Sequence, residues 1–136
     1  MRVETRARAR ALQALYAWDL RDAPDLERVA TVIWDDLGIA PEERRLAGVL
    51  VREVRAHQSD IDHDLTEVTT NWRLERLGAI ERSVLRVAAA ELRGGVTPAR
   101  VVIQEAIRLA ERYGSAQSAR FVNGVLDALA RRMGRL

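Results

Sequence analysis

The chain has 136 residues, enough for one domain with a core that needs no staples, and its lack of cysteine excludes disulfides and thiolate-bound metals. It has no run of about 18 apolar residues to span a membrane, and its arginine-rich start lacks the apolar stretch of a signal peptide, so a cytoplasmic protein with no membrane partner is expected. The net charge of +2 hides a division: residues 1–18 hold four Arg against one Glu, residues 131–136 hold three Arg and no acid, and the stretch between sums to −4, which suggests a localised anionic partner.

The first helix is predicted over Thr5 to Leu20, with Ala11, Leu12, Leu15 and Trp18 on one side. Arg2, Arg6, Arg10 and Gln13 fall within roughly 80° of arc on another side, at 100° per residue. Arg8 sits over the apolar side. Such a stripe is ordinary on a solvated helix, and with Tyr16 beside it the stripe also suits phosphates and unstacked bases. Every basic residue is Arg and none is Lys, so position says more than the choice of Arg. Asp22-Ala23-Pro24-Asp25 ends this helix, with Asp22 and Asp25 as caps for the next. Leu26, Val29, Ala30, Ile33 and Leu37 form the apolar row of a second helix that ends at Gly38. Pro41 begins a third, with Glu42 and Glu43 at the positive end of its dipole and Leu46, Val49, Leu50 and Val54 facing the core.

Ser59-Asp60-Ile61-Asp62-His63-Asp64 resembles the opening of a calcium loop, but with Asp60 as position 1 the required Gly and Glu are Leu65 and Asn71. No metal is expected there. The acidic run instead predicts the cap and first turn of a short fourth helix carrying Ile61, Leu65 and Val68. His57 and His63 are six apart, which does not match the i, i+4 spacing of a zinc helix. Asn71-Trp72 opens a fifth element, in which Trp72, Leu77, Ile80, Val84, Leu85, Val87, Ala88 and Leu92 give a mostly buried pattern and Gly94-Gly95 stops it. Glu75 and Glu81 lie off that pattern, either solvated or available to a basic partner. Thr97 as N-cap and Pro98 at the first position begin the sixth helix, which runs to Tyr113-Gly114, where glycine suits a left-handed cap.

Ser115 or Ser118 caps the seventh helix, whose apolar face is Phe121, Val122, Val125, Leu126 and Leu129. Asn123 and Gly124 interrupt this strut. A mid-helix glycine costs about 1 kcal/mol relative to alanine, so close approach of another backbone is expected at Gly124. Asn123, beside Arg120 and Asp127, either ties down a loop or faces a partner. The whole pattern predicts an all-α fold of about seven helices in one domain, residues 1–136. An N-terminal helical part over about 1–70 is followed by a C-terminal one over about 71–136.

The run Trp72, Arg76-Leu77, Glu81-Arg82, Val84-Leu85-Arg86, Glu91-Leu92, then Val102-Ile103-Gln104-Glu105-Ala106, Tyr113-Gly114, Ser118 and Phe121-Val122-Asn123-Gly124-Val125-Leu126-Asp127 resembles the NusB family. Arg8-Ala9-Arg10 with Gln13-Ala14-Leu15-Tyr16 is similar to that family's first helix. The resemblance covers nearly the whole chain, and its most specific part is the phenylalanine-to-aspartate run. It implies two small helical bundles packed together, and a transcription antitermination factor that binds the boxA element of ribosomal RNA leaders. The binder works with NusE, a ribosomal protein of the small subunit, on RNA polymerase. Carried over by position, the RNA face is Arg6, Arg8, Arg10, Gln13 and Tyr16 with Tyr113, Gln117 and Phe121. The NusE face is Glu75, Arg76 and Glu81. Three positions depart from the pattern: Gln104 replaces a usual asparagine, Ala90 a common aromatic, leaving smaller neighbours or a groove, and Thr5 an often basic residue.

The expected function is thus a non-enzymatic, sequence-preferring binder of single-stranded RNA, with no catalytic residue, cofactor or metal. One alternative is a stand-alone relative of the RNA-binding domain of RNA cytosine methyltransferases, although no catalytic cysteine or glycine-rich cofactor loop is present. A protein-interaction scaffold is the other. Self-association as a homodimer stays open, since family members differ in it.

Overall fold

The alanine-rich first helix explains how the chain gathers around itself. In a computed structural model, which describes residues 2–22, 25–69 and 74–136, α1 runs Val3–Arg21 and buries Ala7, Ala11, Leu12, Ala14 and Leu15. Small side chains on several sides of one helix let others approach it from several directions, and α1 packs on α2 (Leu26–Leu37), α3 (Pro41–Val68) and α4 (Ala79–Gly94). The remaining helices are α5 (Ala99–Tyr113) and α6 (Ala116–Arg132), which form a hairpin against α4, and a 3-10 turn, Leu74–Arg76, precedes α4. The described residues are all-α, as expected, with six α-helices instead of seven.

The expected fourth helix lies within α3. Ala47, Val51, Val54, Ile61 and Leu65 are buried at spacings of four, three, seven and four, so the apolar row stays in helical register across the acidic run. A kink at His57 (φ −122°, ψ 21°) divides α3 into two helical segments, and the second, which carries Ile61, Leu65 and Val68, already includes Ser59 and Asp60, so the expected helix begins before its expected cap. The core row is also rotated from the expected one: Val49 is 42% exposed, and Ala47 and Val51 point inward in its place.

Capping differs in detail. The Asp25 carboxylate accepts from the Arg28 amide at 3.2 Å and starts α2, as predicted. Pro98, rather than Thr97, occupies the N-cap position of α5, and no side chain caps that helix. Ser115 is the cap of α6, accepting from the Ser118 amide at 3.1 Å. Trp72 and the expected start of its element lie outside the described residues.

Two glycines exchange roles. A Cβ built on Gly124 meets nothing within 4 Å, so the close backbone approach expected there does not occur, and Gly124 and Asn123 both face outward. At Gly114 a Cβ would stand 2.8 Å from the Ala110 carbonyl oxygen and 2.8 Å from Ser118 Oγ. Its φ of −114° is not left-handed, contrary to the predicted cap, so absence of a side chain is what this turn requires. Ala90 lines a groove of about 540 Å³ with Ala7, Leu46, Leu50 and Val96, as its small size predicted.

Candidate nucleic-acid interface

On the outer face of α1 the polar stripe is organised by a carboxylate from another helix. Glu43, in the first turn of α3, is only 4% exposed and accepts from Arg6 Nε at 2.8 Å and Arg10 Nε at 2.7 Å, one on each carboxylate oxygen. Burial opposes its charge, but the two guanidinium groups outweigh that and hold its carboxyl below the usual glutamate range. Arg10 Nη1 also donates to Gln13 Oε1 at 3.1 Å, and Trp34 Nε1 donates to the Arg10 carbonyl at 3.2 Å, which fixes this turn of α1. One carboxylate thus sets the position of both guanidinium groups. Tyr16 is exposed farther along the same helix.

Arg8 does not share that face. It is 8% exposed, and it grips Glu91 of α4 with Nε at 2.6 Å and Nη2 at 2.9 Å while Nη1 reaches Glu105 of α5 at 3.1 Å. Burial works against this guanidinium, yet the two glutamates outweigh it and raise its pKa above the ordinary value. The expectation that Arg8 contacts RNA conflicts with this placement: its fork already clamps three helices. Its position over the apolar side of the predicted wheel was the signal.

The second cluster lies at the α5–α6 turn. Arg76, Leu77, Gly78, Glu81, Ser115, Gln117, Ser118 and Phe121 line one cleft of about 400 Å³, so Gln117 and Phe121 share a surface with Arg76 and Glu81. Glu81 accepts from the buried Ser118 hydroxyl, which joins α4 to α6 at the base of this cleft. Tyr113 is half-buried at the end of α5 with the Arg112 guanidinium 5.5 Å from its ring centroid. The side chain of Glu75 lies outside the described residues.

The two clusters are joined through α5, not by packing α6 along α1: Thr5 Oγ1 donates to Glu105 at 2.5 Å, and α6 packs mainly on α5 and α4. A further network was not foreseen. Arg82 donates to Asp19 Oδ2 from Nε at 2.9 Å and to the Leu77 carbonyl at 2.7 Å, and Arg86 makes a two-pronged pair with Asp62 at 2.9 and 3.0 Å while lying over Trp18. Only the i, i+4 spacing of Arg82 and Arg86 hinted at a shared face, because their acids are 24 and 63 residues away.

The model of the NusB family matches residues 5–131, nearly every residue of these clusters. The chain belongs to the NusB family. The transcription antitermination protein NusB of Anaeromyxobacter dehalogenans (strain 2CP-1 / ATCC BAA-258) is 46% identical over 129 residues, covering 93% of this chain and 89% of that protein. Among solved structures, NusB of T. maritima superposes with a TM-score of 0.87 at 34% identity, over 94% of this chain and 90% of that one. A chain from the crystal structure of antitermination factors NusB and NusE in complex with dsRNA gives 0.87 at 30% identity, over 97% and 98%. The NusB family is one of non-enzymatic antitermination factors.

Proposed function

We propose that the protein is a transcription antitermination factor that binds boxA-type single-stranded RNA of ribosomal RNA leaders together with NusE, within an RNA polymerase antitermination complex. The observation that supports this reading is the arrangement of Arg6 and Arg10 on one buried carboxylate, beside Gln13 and Tyr16 on the same helix. Guanidinium groups fixed in this way contact phosphates with little further ordering, and they supply affinity without sequence choice. Choice comes from base stacking on Tyr16, Tyr113 and Phe121 and from amide bonds of Gln13 and Gln117 to base edges. Gln117 and Phe121 line one cleft with Arg76 and Glu81, which supports a NusE surface of Arg76, Glu81 and Glu75 beside one end of the RNA site. An acidic middle region suits a basic ribosomal protein.

Titration of the chain, with and without NusE, against a boxA-like strand, a shuffled strand and a duplex at two salt concentrations tests this. Tighter binding of the boxA-like strand, strengthened by NusE and weakened by salt, is expected. Equal affinity for the two strands, or none even with NusE, overturns the specific-RNA reading and leaves a protein-interaction scaffold. Preference for the duplex replaces base reading with shape reading.

A further inference from the structure

A second cationic row stands across from α1, on α5, the helix whose last residue is Tyr113. Thr5, Arg8 and Ala9 of α1 and Glu105, Arg108, Leu109 and Arg112 of α5 line a cleft of about 190 Å³. Arg108 and Arg112 are one helical turn apart, about 6 Å along the axis, and both are exposed. The Arg108 side chain is 65% exposed, and its ion pair to Glu105, at 3.6 Å, is long. Glu105 already accepts from Thr5 Oγ1 at 2.5 Å and from Arg8 Nη1 at 3.1 Å, so it neutralises little of the charge outside the cleft. Glu111 lies about 60° beyond Arg108, on the flank away from α1. Arg112 lies over Tyr113, one of the rings assigned to stacking.

On α1 the row that faces this cleft continues from Thr5 and Ala9 to Tyr16, about 20° from each on the helix wheel, and Gln13 and Arg6 follow around the surface. The cleft is therefore one border of the face proposed for RNA, and Glu43 is the other. From this juxtaposition we infer that Arg108 and Arg112 form a phosphate track on α5 that continues the RNA site across α1, supplying the positive charge that Thr5 does not. This inference rests on the proposed RNA binding. The ligand class is a single-stranded RNA longer than the segment read by Tyr16, Gln13 and Phe121, contacted through its backbone without base choice.

The test compares the full chain with Arg108→Gln/Arg112→Gln and with Arg52→Gln/Arg55→Gln, a pair of exposed arginines on α3. Each binds a short boxA-like strand and the same strand extended by several nucleotides at either end, from 50 to 200 mM salt. Two lost phosphate contacts lower the slope of log affinity against log salt by about 1.4, so over that range the unaltered chain should lose about sevenfold more affinity for the extended strand than the α5 variant. The gain from extension should vanish in the α5 variant and persist in the α3 variant. An α5 variant with an unchanged slope, or an α3 variant with an equal loss, overturns the track while RNA binding by the unaltered chain still stands. Failure of the unaltered chain to bind any strand overturns both.

Discussion

Arg6, Arg8 and Arg10 alternate along a single helix, and the residue between the two that meet Glu43 is the buried one, which ties α1 to α4 and α5. The sequence made Arg8 legible as an oddity, since an arginine over an apolar row needs an acid to meet it, but the acids come from positions 91 and 105 and no periodicity points to them. Glu43 was legible only as a first-turn acid that suits the helix dipole; its burial between two arginines of another helix depends on tertiary packing. Different outcomes follow for the two roles. Arg6→Ala with Arg10→Ala should weaken RNA binding and also lower thermal stability, because a buried carboxylate loses both partners. Adding Glu43→Gln should recover most of that stability and none of the RNA affinity. Arg8→Gln should cost about 3 kcal/mol, since Glu91 loses its two-pronged partner and Glu105 keeps only the Thr5 hydroxyl and a long pair with Arg108, with the salt slope of RNA binding unchanged. Denaturation curves beside RNA titrations of the same four proteins check this, and recovery of RNA binding by Glu43→Gln would remove the arginines from the interface.

Among the elements, the turn between α5 and α6 and the middle of α6 show where helix propensity is a good guide and where it fails. The start of α6 was readable to within a turn, as Ser115 or Ser118, and its apolar row was readable from local pattern. The reason for its glycines was not, because a propensity argument says that a glycine needs a cause without saying which one has it. Gly114 has a cause in the Ala110 carbonyl and the Ser118 hydroxyl, which also holds Glu81, so this turn sets the shape of the cleft at Gln117 and Phe121. Nothing within the described chain explains Gly124. Gly114→Ala should therefore lower the melting temperature and disturb the cleft, because backbone and not a flexible side-chain end stands in the way. Gly124→Ala should raise stability by up to about 1 kcal/mol, the helix preference for alanine. Thermal melts followed by circular dichroism distinguish the two, and a destabilised Gly124→Ala variant would show that α6 has a close neighbour at that point after all.

At the scale of the molecule, the basic ends seen in the sequence acquire different meanings. Only the N-terminal end remains a cationic surface; at the other end Arg131 pairs with Asp127, Arg132 lies 3.9 Å from Glu67, and Arg135 donates to the Thr97 carbonyl at 2.9 Å, closing the α4–α5 loop. The fold class was legible because helical spacing is local, whereas the links between the two halves are ion pairs of long sequence separation. Arg8 to Glu91 and Glu105, Arg82 to Asp19 and Arg86 to Asp62 all cross between residues 1–70 and 71–136, and α4 packs on α1 and α3 as well as on α5 and α6. Separating the halves would strip a buried face from α4 and leave these charges unpaired, so the chain should unfold as one cooperative unit. Two of the three tryptophans, Trp18 and Trp34, lie in α1 and α2 of the first half, whereas helical ellipticity reports on both halves. Urea unfolding followed by tryptophan fluorescence and by circular dichroism should therefore give coincident transitions. A fluorescence midpoint displaced from the ellipticity midpoint would mean that the two bundles fold separately, and that the ion pairs between them only position the arginine face of α1 against the α5–α6 hairpin.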